Sequence, residues 1–218
     1  MADSILFDRD EVEHLESVAE RPRRLRGSQL LWIDLARGED TEELARELDL
    51  TPRTRQYLEA AHESPVFQDC GHYIHITSYA PKEDDDGGEL LPIECVVGQN
   101  WVLTAHAEPI PVLDEFAKRV SGSGNTGELD GPGFLAALLE WVLGSYTSAF
   151  ERIEERLEKF DVQAMRGEGA DEDIEMLVEM RLQVGKLRRA LAAHRTPLVA
   201  PHASGARSAR GQRLGRTI

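Results

Sequence analysis

Cysteine is scarce in this chain. Only Cys70 and Cys95 occur in 218 residues, with no CxxC spacing and no cluster of metal-binding partners around either. Nothing therefore supports a disulfide framework or a zinc–thiolate site. Without a signal-peptide pattern at the N-terminus, this usage gives the expectation of a reducing, cytoplasmic setting. Catalytic signatures are missing too: there is no HExxH, P-loop or GxSxG. Long apolar runs are nearly absent. The best is "GPGFLAALLEWVLGSYTSAF", residues 131–150, whose one charge is Glu140. A spanning helix needs about 20 predominantly apolar residues. This run is diluted by Gly, Ser, Thr and Glu and passes straight into "ERIEERLEKF", so a core helix is expected and no membrane crossing.

Positive charge is in deficit. Lys and Arg total 25 against 40 Asp and Glu, for a formal net charge of −15. The imbalance is uneven. Residues 186–218 hold eight bases and no acid, leaving 17 bases against all 40 acids in residues 1–185, a balance of −23. Such a body excludes nucleic acid as a partner for most of the surface and concentrates cations near itself. Charge alone also fits simple solubility.

What is present reads as an α/β layer followed by helices. "RDEVEHLESV" (9–18) predicts a short acidic helix and "RPRRLR" (21–26) a basic surface segment. "QLLWIDL" (29–35) is a buried strand by its apolar content and length. Asp40 three residues before Glu43 predicts a capping-box start for a helix over 41–48. Thr51 followed by Pro52 predicts a second helix start. "GHYIHITSYA" (71–80) alternates as a strand, and "PKEDDDGGE" (81–89) is a polar loop. "LPIECVVG" and "QNWVLTAHA" form two strands around the turn Gly98-Gln99-Asn100. "EPIPVLDEFAKRV" (108–120) begins a helix behind its two prolines, and "SGSGNTGELDGPG" (121–133) is a linker. Beyond it Leu135, Leu139, Val142, Tyr146, Ala149 and Ile153 repeat at helical spacing, with Phe160 a heptad past Ile153. Leu177, Met180, Val184, Leu187 and Leu191 repeat likewise. These are two amphipathic helices in antiparallel array, with Glu151, Arg152, Glu154, Glu155, Arg156, Glu158 and Lys159 on the outer face. Pairs such as Glu155 and Lys159 weakly support it. The Pro-, Gly- and Arg-rich end, from Pro197 on, is expected to be disordered.

The candidate chemistry is thin. Asp34 ends its strand, where acids are common in active sites of α/β folds. It can equally brace the following turn. His106, at another strand end, can accompany Asp34 or Cys95. His72 and His75, three apart in one strand, point to opposite faces and cannot chelate one ion. Asp84-Asp85-Asp86 offers hard oxygen ligands, but without the spacing of a calcium loop.

The order of segments is more informative than any residue. Trp32-Ile33-Asp34-Leu35, then His62 with Pro65, Tyr73, Asn100-Trp101-Val102-Leu103-Thr104 with His106, and Leu135-Ala136-Ala137-Leu138-Leu139-Glu140 follow in sequence. Over residues 28–195 this resembles the cytoplasmic domain of the CorA family of divalent-cation channels. The resemblance implies an αβα sandwich with a mixed parallel and antiparallel sheet, followed by a long antiparallel helical hairpin. The expected division is 1–130 for the αβα layer, 131–196 for the hairpin and 197–218 for a basic tail. Asp34 then belongs to the family's strand motif and reads as structural. The departures are specific. There is no Gly-Met-Asn and no stalk helix. Gln56 and Tyr57 stand where some family members carry the acids of an inter-subunit regulatory Mg²⁺ site, and Ser64 replaces the usual Arg before Pro65. No metal ligand is therefore assigned.

The implied function is a cytoplasmic regulatory and assembly domain of a CorA-like Mg²⁺/Co²⁺ or Zn²⁺ transporter, without enzymatic chemistry or a tightly bound cofactor. Its partners would be divalent cations and further copies of itself, pentameric in the family. It would meet the membrane only through a pore region outside this sequence, at the cytoplasmic face. Two rivals stand beside it. One is a pore-less cytoplasmic interaction protein of the same fold. The other is a small hydrolase, which requires Asp34 and His106 within hydrogen-bond reach in one cleft.

Overall fold

The computed structural model describes residues 3–9, 11–15, 20–22, 24–36, 41–60, 65–82, 89–122, 129–166 and 172–199. Its centre is a seven-stranded sheet. In chain order the strands are β1 (Asp3–Asp8), β2 (Glu11–Leu15), β3 (Gln29–Ala36), β4 (Phe67–Asp69), β5 (Ile74–Pro81), β6 (Leu90–Val97) and β7 (Trp101–His106). They lie in the order β2-β1-β3-β7-β6-β5-β4. Only β3 and β7 run parallel, in a register that sets Trp32 beside Val102, Asp34 beside Thr104 and Ala36 beside His106. The other neighbours are antiparallel, so the sheet is mixed as expected.

Side-chain alternation builds two cores from one sheet. Ile5, Phe7, Trp32, Ile93, Cys95 and Val102 face α3 (Pro111–Ser121), α4 (Gly131–Met165) and α5 (Glu172–Val199). Leu31, Ile33, Leu35, Val96 and Leu103 face α1 (Glu42–Glu47) and α2 (Pro52–Glu59). The result is the αβα sandwich. Phe134 anchors the α4 side, with its ring 5.3 Å from both Trp32 and Phe116 and 5.8 Å from Phe7.

Several local expectations need correction. Of the helix expected over 9–18, the described residues 11–15 are strand instead: β2 pairs antiparallel with β1, and Arg9 between them has a φ of 53°. Val12 and Leu15, three apart, suit one helix face, but in a strand they point oppositely. Val12 packs on the α4 core and Leu15 is buried in the α1/α2 core. Each finds burial only as strand. The helix over 41–48 starts at Glu42 behind Thr41, whose side chain makes no cap bond; Asp40 lies outside the described residues. Thr51 does cap α2, its hydroxyl accepting from Thr54 N at 3.2 Å, with Pro52 in the first turn. His72 precedes β5 instead of lying in it. The short strand β4 was not foreseen. α5 continues to Val199, through Pro197 and past the expected start of the tail; residues 200–218 lie outside the described residues.

The hairpin is right in one helix and rotated in the other. All six expected seam residues of α4, from Leu135 to Ile153, are buried. On α5 the buried row is Met180, Gln183, Leu187, Ala190 and His194, while Leu177 and Val184 are 39% exposed. Gln183 is buried in place of its neighbour Val184, Ala190 is buried beside Leu191, and His194 lies beyond the expected row. Ile174, Val178 and Leu182 are also left facing outward. Residues 131–163 are long and apolar enough to qualify as a span, yet Phe134, Leu138, Val142 and Tyr146 are committed to the sheet.

α4 is seated by a close backbone approach. Gly131 N donates to Gln99 O at 2.7 Å, and Asp130 Oδ1 accepts from Gly133 N at 2.8 Å. A Cβ at Gly131 would lie 2.1 Å from Gly98 O, whereas one at Gly144, mid-helix, meets nothing within 4 Å. Gly131→Ala is therefore expected to lower folding stability by about 2 kcal/mol in urea denaturation. Gly144→Ala should raise it by about 0.5–1 kcal/mol.

Candidate functional site

The β3–β7 pairing assembles a polar network at the carboxyl ends of the two strands. Alternation puts Trp32 and Asp34 of β3, and Thr104 and His106 of β7, on the same sheet face. Trp32 Nε1 donates to Thr104 Oγ1 at 3.0 Å, and the Thr104 hydroxyl in turn donates to Asp34 Oδ1. His106 Nε2 lies 3.1 Å from Asp34 Oδ2, and its Nδ1 lies 2.7 Å from the Glu108 carbonyl. The side chains of His106 and Asp34 are 13% and 18% exposed.

The rival hydrolase thus has its pair within reach, but the protons decide against a base. Both partners of His106 are acceptors, so both ring nitrogens carry hydrogen and no lone pair is free. Burial by itself would lower the pKa of His106. The hydrogen bond and charge of Asp34, with the Glu108 carbonyl and Asp114, outweigh it and raise the pKa above 6.5. What the geometry provides is an ion pair stitching β3 to β7. Cys95 supplies no nucleophile either: it is fully buried, which pushes its thiol far up and keeps it protonated.

A second buried pair went unforeseen. His75 Nε2 lies 3.1 Å from Glu94 Oε2, which also accepts from the Thr77 hydroxyl at 3.0 Å. The Tyr57 ring packs edge-on against His75, with centroids 5.6 Å apart. A glutamate within the apolar run of β6 was the one available signal. His72 stands apart, bonded to Asp49 O at 3.1 Å.

The helix pair α1/α2 borders a cleft of about 420 Å³ lined by Arg46, Asp49, Arg55, Gln56 and Glu59 among others. One of its carboxylates is opposed by an arginine: Arg55 Nε lies 3.4 Å from Glu59 Oε1. Gln56 contributes no charge, and the Tyr57 hydroxyl accepts from Arg53. Among the described residues no group of three or more His, Cys, Asp or Glu side chains is placed to hold a metal. Asp84–Asp86 and His62 lie outside the described residues. Exposed carboxylates instead line α4, at Glu140, Glu151, Glu154, Glu155, Glu158 and Asp161, with Glu175 and Glu179 on α5. Arg156 reaches across the hairpin to Glu179 at 3.3 Å.

With this geometry in place, comparison with known proteins gives a consistent result. Residues 27–211 match the model of the CorA-like Mg²⁺ transporter proteins, and the chain belongs to that family. The fold is similar to that of the CorA magnesium transporter from Methanocaldococcus jannaschii, at 19% identity and a TM-score of 0.74, covering 100% of this chain and 65% of that one. The full-length CmaX protein is similar at 16% identity and a TM-score of 0.74, covering 90% and 61%. The ZntB cytoplasmic domain from Vibrio parahaemolyticus RIMD 2210633 follows at 15% identity and a TM-score of 0.62, covering 87% and 77%. No curated protein matches. The chain thus spans 61–65% of the two full-length structures.

Two outcomes are expected at the network. Thr104→Val leaves the buried indole N–H of Trp32 without its acceptor, for a loss of about 1–3 kcal/mol in chemical denaturation. His106 has a raised pKa in the fold, so its contribution is complete below pH 6.5, the unfolded value, and is lost as pH climbs through the folded one. The stability gap between wild type and His106→Gln should accordingly be widest near pH 6 and narrow toward pH 9.

Proposed function

We propose that this chain is the cytoplasmic regulatory and assembly domain of a CorA-like divalent metal ion transporter, handling Mg²⁺, Co²⁺ or Zn²⁺, and that it performs no chemistry. The αβα layer (1–130) is the platform, and the hairpin, whose second helix runs to Val199, is the ion-facing element. The observation that carries this reading is the row of solvent-facing carboxylates along α4, on a chain of the transporter family. The fold's similarity to a magnesium transporter and to a cytoplasmic domain supports the ion class and the side of the membrane.

The mechanism is electrostatic. Unit charges a few ångströms apart at a surface interact by about 1–4 kcal/mol, and physiological salt screens them beyond about 8 Å. Isolated carboxylates therefore hold ions weakly. Copies brought together around an axis, five in the family's assembly, place such rows near one another and raise the field. Divalent ions between subunits then hold the carboxylates close, and ion loss lets them repel and separate. Gln56 and Tyr57, at the family's regulatory position, carry no carboxylate, so sensing falls to the distributed charge of the hairpin.

Mg²⁺ added in low salt should raise the melting temperature or the association state beyond the effect of NaCl at matched ionic strength. At ten times its dissociation constant the gain is about 1.4 kcal/mol. Replacing Glu151, Glu154, Glu155 and Glu158 together by Gln should abolish the Mg²⁺-specific part. If Mg²⁺ moves neither quantity, the sensing role is wrong.

A further inference from the structure

The far edge of the sheet is covered unevenly. β4 pairs with β5 only along Ile74–Ile76. Past that stretch, the outward backbone groups of Tyr79 are met by the hairpin instead of by a strand. The Tyr146 hydroxyl of α4 donates to Tyr79 O at 2.8 Å. Tyr79 N donates to His194 Nε2 of α5 at 3.1 Å, and the Ser78 hydroxyl lies 2.8 Å from the same nitrogen. His194 Nδ1 lies 2.9 Å from the Ala190 carbonyl. The imidazole is 2% exposed, with the Tyr146 ring at 5.8 Å and the Tyr79 ring at 6.4 Å.

These partners admit one protonation state. A backbone N–H can only donate, so Nε2 must keep its lone pair. A carbonyl can only accept, so Nδ1 must carry the proton. Adding a proton at Nε2 sets two donors against each other. The Ser78 hydroxyl can rotate to accept, but the Tyr79 N–H cannot.

We infer that His194 is a proton-operated latch: neutral, it fastens the C-terminal part of α5 to the bare edge of β5, and protonated, it lets that part go. Tyr146 keeps α4 in place, so the release is confined to one helix end. The opened state bares a strand edge, a surface that pairs readily with another extended segment.

Among the described residues no carboxylate acts on the His194 ring. On β5 the titratable neighbour is Tyr79, and on α4 it is Tyr146; burial raises the pKa of both phenols and keeps them neutral. Glu94 of β6 acts on Tyr79. For His194 itself, burial lowers the pKa below 6.5 and the Ala190 carbonyl offsets only part of that. The latch is therefore at full strength above pH 6.5 and weakens as pH falls from there toward the folded value.

Amide hydrogen exchange read by NMR on the whole chain tests this, at pH 7.5 and 5.0 with intrinsic rates corrected. Protection of the Tyr79 amide should drop at least tenfold at the lower pH relative to Leu103 in central β7. His194→Gln, whose side-chain carbonyl accepts at any pH, should keep Tyr79 protected at both. Should that variant not fold, ¹⁵N shifts of the wild-type imidazole decide: a neutral Nδ1–H tautomer at pH 7.5, titrating below 6.5, is expected. Equal Tyr79 protection at the two pH values overturns the latch. So does a pH response that survives in His194→Gln, or an Nε2-protonated ring at pH 7.5.

Discussion

The parallel pairing of β3 with β7 is the constraint on which the molecule is organised. Parallel neighbours need a long crossover, and here residues 37–100 supply it, carrying α1, α2 and β4–β6. Both strands are buried on both faces, so helices must lie above and below them. α1 and α2 cover one side; α3, α4 and α5 cover the other. The register of this one pair also sets Asp34 against Thr104 and Ala36 against His106, residues some seventy positions apart in the chain. A slip of one residue would turn Asp34 and Trp32 to the opposite core and dissolve the network.

Two histidines show how partner atoms set protonation. His106 sits between a carboxylate and a carbonyl, both acceptors, and is held as a cation. His194 sits between a carbonyl and a backbone N–H, and is held neutral. Burial pushes both pKa values down, and only at His106 do Asp34, the Glu108 carbonyl and Asp114 outweigh it. One ties the middle of the sheet together; the other ties a helix end to its edge.

The surface follows a different logic from the interior. In the described interior, acids are hydrogen-bonded to histidines, Asp34 to His106 and Glu94 to His75. The carboxylates of α4 face solvent in a row, where their mutual repulsion is screened and tolerable in a single copy. That contrast gives the hairpin its proposed part as the ion-facing element of the domain.

Much of the fold was legible because burial enforces periodicity. β3, the β6–β7 hairpin, α2 with its Thr51–Pro52 start and the α4 seam all follow local rules that the chain obeys. The same rules misread residues 11–15 as helix, since a three-residue spacing of Val12 and Leu15 fits either state until a neighbouring strand is known. They also chose Val184 and Leu191 over Gln183, Ala190 and His194 on α5, because polarity hides a residue whose hydrogen bonds are met inside. His194 lies one heptad past Leu187, so the spacing held a clue that composition masked. The sequence by itself determined β3, the start of α2, the β6–β7 hairpin, the acidic bias and the transporter-family motifs, for these depend on patterns within a few residues or on totals. Only the tertiary structure decided which histidine is charged, which strand edge is covered and which face of α5 is buried. Those properties depend on atoms brought together from distant parts of the chain.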